Sequence, residues 1–371
     1  MGGSFDPPHL GHESLLKAAA KTLRPDRILV VPAFHAPLKA APGAPARDRA
    51  AMARLGLLET LPAPWRSRAR LELSELRSGR PVYTVETLRR LKKKHRGAEL
   101  HFAVGSDSAA SFASWKEPKA LKDLARWWTA ARPGARRPLP FFGRIPGRMP
   151  DISSTELRRR LALGESVAGL LRPAVARRIV RRGLYGRRLL AALARELSPE
   201  RLAHTLAVAR LAEALAARWG EDPERSRLAA LLHDLGRSVP VSRMGSYALS
   251  RRLPVPALRE TAVRAPLLLH AHISADLARR RFGVTDEGVL AAVRRHTLGA
   301  PRMSRLDKVL YVADSCSEDR SYPGVAALRR LARRDLDEAF AACARNKVED
   351  ALSRGSWLHP SALSLWNSLN A

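Results

Sequence analysis

Two rhythms of apolar and polar positions divide the chain. Up to about residue 186, short apolar runs alternate with stretches of helical period. Ile28-Leu29-Val30-Val31 stops at Pro32, and the run from Leu100 to Val104 stops at Gly105. Runs this short, bounded by turn residues, read as buried strands. Each follows a stretch of helical period, Glu13 to Leu23 and Val85 to Lys94 respectively. Strand and helix in alternation predict a parallel sheet covered by helices. The segment from Arg126 to Met149 is rich in Pro, Gly and Arg and gives neither rhythm clearly.

The pattern changes near Ser198. Helical stretches then follow one another with no strand between them: Glu200 to Trp219, Pro223 to His233, Leu267 to Phe282, Val289 to His296, Arg305 to Asp314 and Leu328 to Ser353. Asp222-Pro223 is a good helix start, because Asp caps unpaired amides and Pro is tolerated in the first turn. The chain therefore reads as two domains. An α/β domain covers residues 1–186 and an all-α domain covers 187–371, with the joint between about 184 and 199.

Composition narrows the function classes. A net charge of +31 on 371 residues raises the question of a polyanionic partner. The basic residues are scattered over the whole chain, as in the run Arg329 to Arg334, and aromatic residues make up only 5%. That fits Arg- and Ala-rich solvated helix faces better than a nucleic-acid-binding arm. A nucleic-acid-binding protein stays as the rival class, and it predicts strongly salt-dependent binding to duplex DNA. Cys316 and Cys343 give neither a disulfide framework nor a CxxC pair, as expected of a chain in a reducing cytoplasm. No apolar window reaches the roughly 18 residues of a membrane span. The first residues also lack the basic and then apolar character of a secretion signal.

The opening GGSFDPPHLGH is the most informative stretch of the first half. Gly2-Gly3 permit a tight turn, Pro7-Pro8 stiffen the loop, and His9 and His12 flank Gly11 at a helix start. Unpaired amides and the positive dipole end of a helix suit phosphate, and two imidazoles can donate to oxygens gaining charge. The motif resembles that of the HxGH nucleotidyltransferase superfamily. Further stretches resemble bacterial nicotinate-nucleotide adenylyltransferases in order along residues 1–186: VPAFHAPLK, SGRPVYTVETLRRL, FAVGSDSAASFASWKEP, DISSTELRRRL and PAVARRIVRRGLY.

The resemblance implies a Rossmann-like fold, ATP and nicotinate mononucleotide as substrates, and Mg2+ with the leaving pyrophosphate. It implies that His9 and His12 stabilise charge at the α-phosphate, with Gly3, Ser4, Phe5 and Gly11 lining the same loop. Lys39, Ser154 and Arg158 would hold phosphate oxygens. Thr84 and Trp115 would face the nicotinate nucleotide, and Gly105 and Asp107 the adenosine. Two departures stand out: Leu38 precedes Lys39 where the family has His, and Met1 directly precedes Gly2 where the family has a full apolar strand. The expectation is a truncated first strand and a natural start upstream of Met1. An intact mass matching a start at Met1 would refute the latter.

The second half holds His204, the pair His233-Asp234, His270, His296 and Asp314, each near one end of a helical stretch. Imidazoles and carboxylates converging on a bundle interior suit a first-row divalent metal. A buried apolar helix such as LAALLHDLG has no structural need to end in His-Asp. The order of these residues resembles the HD superfamily of metal-dependent phosphohydrolases. The stretch from Leu197 to Leu369 resembles YqeK-type hydrolases, which cleave diadenosine tetraphosphate to two ADP. The resemblance implies an HD fold with two iron or manganese ions, Asp234 bridging them. Lys308, Arg320 and Arg237 are candidates for phosphate contacts. Ala271 where the family has Gly, and Ser315-Cys316 where it has bulkier groups, are modest departures. Oligomeric state is left open, a homo-oligomer included.

Overall fold

Apolar runs become strands and amphipathic stretches become helices in the computed structural model, which describes residues 1–35, 42–131 and 139–370. The chain divides into two units, Met1–Arg188 and Leu189–Ala371.

In the first unit the strands lie in two parallel ladders. β1 (Gly2–Gly3), β2 (Ile28–Pro32) and β3 (Ala69–Leu71) form one, with Gly2 opposite Val31 and Ile28 opposite Ala69. β4 (His101–Val104), β5 (Arg126–Ala131) and β6 (Gly143–Arg148) form the other, with Phe102 opposite Trp127. The segment 126–149 thus supplies two strands. Its signal is hidden because exposed Arg144 and Pro146 interrupt the apolar positions, while Trp127, Ala130 and Ile145 are buried. The helices that bear on the site are α1 (Leu10–Leu23), α2 (Ala46–Ala53), α3 (Thr84–Lys94), α4 (Ser106–Ala110) and α5 (Ser154–Leu163). Leu15, Leu16, Ala19 and Ala20 bury one side of α1 in the core.

The strand expected to lead into the Gly-Gly turn is represented by Met1–Gly3 alone. The Met1 amino group donates to Leu29 O at 2.8 Å, and the Val31 N–H donates to Met1 O at 2.9 Å. Burial lowers the pKa of that amine to about 5. A cavity of about 140 Å³ lies beside it, lined among others by Leu16, Leu29, Leu100 and Phe102.

The second unit is helical throughout the described residues. Its central elements are α6 (Pro199–Trp219), α7 (Pro223–Leu232), α8 (His270–Phe282), α9 (Glu287–Arg295), α10 (Arg305–Cys316), α11 (Val325–Arg334) and α12 (Leu336–Ser353). Ser198 caps α6 by accepting from the Arg201 N–H, and Asp222 caps α7 by accepting from Glu224 and Arg225.

Three expectations need correction. The helix expected over 328–353 is broken at Asp335, whose extended backbone (φ −151°) and side chain cap α12 through the Asp337 and Glu338 amides. A carboxylate that can satisfy two helix-start donors competes with helix continuation at that point. The stretch 267–282 opens with a 3₁₀ turn, Pro266–Leu269, before α8 begins. The segment read as a joint carries its own helix, Arg187–Glu196, because Leu189, Leu190, Ala192 and Leu193 bury one face. Among the described residues no helix is long and apolar enough to cross a membrane.

Candidate active sites

β1 runs into the loop from Ser4, and α1 begins at Leu10 with His9 at its N-cap. The His9 backbone N–H donates to His12 Nδ1 at 3.3 Å. A ring nitrogen that accepts cannot carry the proton, so the neutral His12 ring holds its proton on Nε2. The two rings lie 3.8 Å apart, and Phe5 meets His12 edge-on at 5.3 Å. A Cβ on Gly11 would stand 3.0 Å from His9 Nδ1 and 3.5 Å from Pro150 O. Glycine there lets the His9 ring and the chain before α5 close over the helix start. The first-turn amides of α1 and its dipole complete an anion-binding end.

Main-chain contacts hold this loop. Arg49 on α2 is buried and donates to Ser4 O (2.8 Å), Ala33 O (2.5 Å), Phe34 O (2.7 Å) and Ala44 O (3.2 Å). It ties the loop after β1 to the chain after β2. Asp6 accepts from the amides of Gly43 and Ala44 at 2.7 and 3.0 Å, and from the Tyr185 hydroxyl at 2.8 Å. Burial first, and then the Asp6 charge, push the Tyr185 phenol up, so it remains the donor. On α5, Arg158 Nη1 donates to Asp6 O and Ser154 Oγ to Pro7 O, both at 3.0 Å, while Ser153 caps the helix through the Glu156 amide. His9, His12, Ser154 and Arg158 are therefore brought to one loop.

The other expected residues of this half sit on the second ladder and its helices. Thr84 opens α3, Gly105 caps α4, and Asp107 lies in its first turn. Trp115 stacks on Phe112 at 5.6 Å and meets Trp127 edge-on at 5.7 Å. Lys39, like Leu38, lies outside the described residues.

In the second unit the six expected ligands are all buried: His204, His233, Asp234, His270, His296 and Asp314. Three of the rings are oriented in the same way. Nδ1 of His233, His270 and His296 lies 2.6, 2.6 and 2.7 Å from the carbonyl oxygen three residues earlier, of Ala230, Leu267 and Val293. A carbonyl only accepts, so each Nδ1 carries the proton and each Nε2 presents a lone pair. His204 uses a carboxylate instead, with Asp319 Oδ2 2.7 Å from its Nδ1. A Cβ on Gly236 would fall 2.3 Å from His270 O, so only glycine lets the turn after Asp234 pack against the start of α8. Ser274 bridges the same contact, accepting from the Gly236 amide and donating to His233 O, each at 2.7 Å.

The donor atoms form two groups, His204–His233–Asp234 and Asp234–His270–His296, with the atoms of each within 4.8 Å of one another. Asp234 belongs to both. Nε2 of His270 and of His296 face each other at 3.1 Å, and the buried Nε2 of His233 has no hydrogen-bond partner among the described residues. Lone pairs in such proximity, together with carboxylates, suit a divalent metal. Burial lowers His270 to about 4 and takes His296 well below its ordinary value, keeping both in the neutral form a metal requires. Burial alone would raise the Asp234 carboxyl, but the imidazoles of His233 and His270 and the Arg237 guanidinium beside it hold it well below the usual carboxylate range.

The comparisons with known proteins match this division. The sequence matches the cytidylyltransferase-like family over residues 1–160 and the HD domain over residues 201–319. A probable nicotinate-nucleotide adenylyltransferase of Thermus thermophilus is 41% identical over 190 residues, which cover 50% of this chain and 97% of that one. A symmetrical bis(5'-nucleosyl)-tetraphosphatase of Bacillus subtilis is 34% identical over 180 residues, covering 48% and 95%. The chain belongs to both families. A single Mycoplasma genitalium protein, named a probable nicotinate-nucleotide adenylyltransferase/Ap4A hydrolase, is 26% identical over 355 residues, covering 92% of this chain and 94% of its own.

In the tetraphosphatase-family half, Arg320 lies at the cluster, with Nη2 2.8 Å from Asp314 Oδ1 and 3.4 Å from His204 Nε2. Lys308, also expected at phosphate, is paired with another carboxylate. Its ammonium binds Asp337 at 2.7 Å, and the lysine that reaches Asp314 is Lys347, at 3.6 Å. Lys308 lies in the first turn of α10 whereas Asp314 lies near its end, which separates them along the helix axis. Asp319 and Lys347 were not among the expected site residues. In the adenylyltransferase-family half, Arg49 and Asp6 were also missed: Arg49 binds main-chain carbonyls, and Asp6 binds two amides and the Tyr185 hydroxyl, all in segments distant along the chain.

Proposed function

We propose that the chain is a bifunctional nucleotide enzyme. The first unit transfers the adenylyl group of ATP to nicotinate mononucleotide. A phosphate oxygen of the mononucleotide attacks the α-phosphorus in line, the bond to the β-phosphate oxygen breaks, pyrophosphate leaves, and deamido-NAD forms. No protein nucleophile is needed, so catalysis rests on positioning and on charge neutralisation. His12 donates from Nε2 toward the reacting phosphate, and His9 and the α1 amides share that charge. Arg158 and Lys39 grip the outer phosphates. Thr84 and Trp115 take the nicotinate nucleotide, and Gly105 and Asp107 the adenosine. Mg2+ would neutralise the triphosphate.

The second unit hydrolyses diadenosine tetraphosphate at its central bridge, with one water consumed and two ADP released. The four histidines, Asp234 and Asp314 would hold the metal, which the mixed nitrogen and oxygen donor set suits to iron or manganese. When bound, the metal supplies Lewis acidity at the phosphate. Arg320 and Arg237 orient the polyphosphate. The reading assigns the protein to the cytoplasm, where both nucleotides are found.

The observation that carries the double reading is the full-length relative, which bears both activities in its name and covers 92% of this chain. The test is chromatography of the metal-loaded protein with each substrate set, with and without chelator. Deamido-NAD from ATP and nicotinate mononucleotide, and chelator-sensitive release of ADP alone from diadenosine tetraphosphate, are expected. ATP plus AMP as products, or no turnover, would overturn the second assignment and leave the first standing.

A further inference from the structure

Four cationic side chains press on the two carboxylates of the histidine–aspartate centre. Arg201 Nη1 lies 3.1 Å from Asp234 Oδ2, and Arg237 Nε lies 2.9 Å from Asp234 Oδ1. Arg320 Nη2 lies 2.8 Å from Asp314 Oδ1, and Lys347 Nζ lies 3.6 Å from Asp314 Oδ2. They come from four separate segments: the first turn of α6, the turn after Asp234, the loop after α10, and α12. Lys347 is also fixed by the carbonyl oxygens of His296 and Thr297, at 3.1 and 3.5 Å, and by the face of the Tyr311 ring, at 3.8 Å.

The charge count is the telling feature. Asp234, Asp314 and Asp319 supply three negative charges, and the four cations already exceed them before any metal is added. A centre built only to hold a divalent cation is weakened by each like charge beside it. The surplus is useful when a polyanion shares the site, because guanidinium and ammonium groups then face phosphate oxygens. Two cations stand at each carboxylate, so a chain of phosphates lying across the centre meets positive charge on both sides.

We propose that Arg201 and Lys347 join Arg237 and Arg320 in a collar that grips an unbranched polyphosphate across the metal centre. The proposal rests on the hydrolase reading of the second unit for the presence of the metal, and it extends the phosphate contacts to two residues that were not among the expected ones.

Its signature is two affinities that move in different directions. A residue that merely supports the metal ligands would weaken metal binding when removed. A collar residue repels the metal and attracts the phosphate, so its loss leaves metal affinity unchanged or tighter and weakens nucleotide binding. The experiment is calorimetry on full-length Arg201→Gln and Lys347→Gln proteins, with Mn2+ alone and then with ADP at saturating Mn2+. Each substitution is expected to weaken ADP binding on the order of 10- to 100-fold, the worth of one charge-assisted contact. Unchanged ADP affinity, or Mn2+ affinity that falls in step with it, would overturn the collar. The Arg201 side chain is 40% exposed and its ion pair is with Asp234, so Arg201→Gln decides the matter if Lys347→Gln melts early. Wild-type protein that binds ADP with Mn2+ but leaves diadenosine tetraphosphate intact sinks the hydrolase reading and not the collar.

Discussion

The loop around His9 and His12 is held almost wholly by main-chain atoms, whereas the cluster around Asp234 is assembled from side chains delivered by separate helices. At the first site, Arg49 reaches four carbonyl oxygens and Asp6 two amides, so the positions of Ser4 to His9 follow from the path of the backbone. At the second, the grouped donor atoms belong to five side chains, and one of them, Asp234, belongs to both groups. On the proposed reading, the first arrangement would spread phosphate recognition over amides as well as the two imidazoles. The second concentrates it in atoms that single substitutions delete. The two units should therefore respond differently to point mutation, and independently of each other.

The largest effect is expected from Asp234→Ala. It removes a donor from both groups, so metal content and hydrolysis should fall to the level of the chelated protein, with adenylyl transfer unchanged. Full metal occupancy by elemental analysis would break the ligand assignment. His12→Ala should lower adenylyl transfer about 100- to 1,000-fold, as loss of one preorganised donor does, and leave hydrolysis intact. Equal loss of both activities would point to unfolding rather than chemistry. A smaller effect belongs to Asp319→Ala, which frees the His204 ring. Metal affinity should drop about 10- to 100-fold, the usual worth of a partner that orients a ligand, and a titration with a competing chelator measures it.

The most gradual effect is with pH in the metal-free protein. His270 has a folded value of about 4 against 6.5 unfolded, and His296 is also lowered, so the unfolded chain binds more protons between those values. Their contribution to stability is complete above about pH 6.5 and is lost as pH falls toward 4. His204 opposes this, since Asp314 raises it despite burial, and its contribution is present below 6.5 and lost as pH rises through its folded value. Burial also lowers His272, to about 4, and His359, so with four histidines against one, melting of the second unit should shift down between pH 6.5 and 4. A flat profile from that unit would show that its histidines are not buried neutral.

Side chains and backbone also differed in how legible they were. The six candidate ligands stood out because His and Asp are rare on apolar helical stretches; His204, His270 and Asp314 lie within helices, and His233, Asp234 and His296 just after them. Lys347 could not be read, because a lysine on α12 looks like any solvated lysine until Tyr311 and Asp314 of α10 are brought against it. The same limit applied to Arg49, whose partners are carbonyls of other segments. The break at Asp335 was missed because the apolar spacing continues across it, while the cap depends on one carboxylate turning onto two amides. Strand β6 escaped because exposed Arg144 and Pro146 interrupt its apolar positions.

The carbonyl three residues before each of His233, His270 and His296 has a consequence for how this domain can vary. Each of these candidate ligands carries its own alignment within one helical turn, so the connections at 251–257, ahead of the helix Leu258–Arg264, and at 283–286, after α8, can lengthen or shorten without turning a donor atom away. His204 lacks that independence. Its aligning carboxylate sits five residues beyond Asp314, in the stretch that also returns Arg320 to the cluster. Residues 314–320 are thus the part of the domain where a single inserted residue would misalign a ligand, and the part that library design should leave at fixed length.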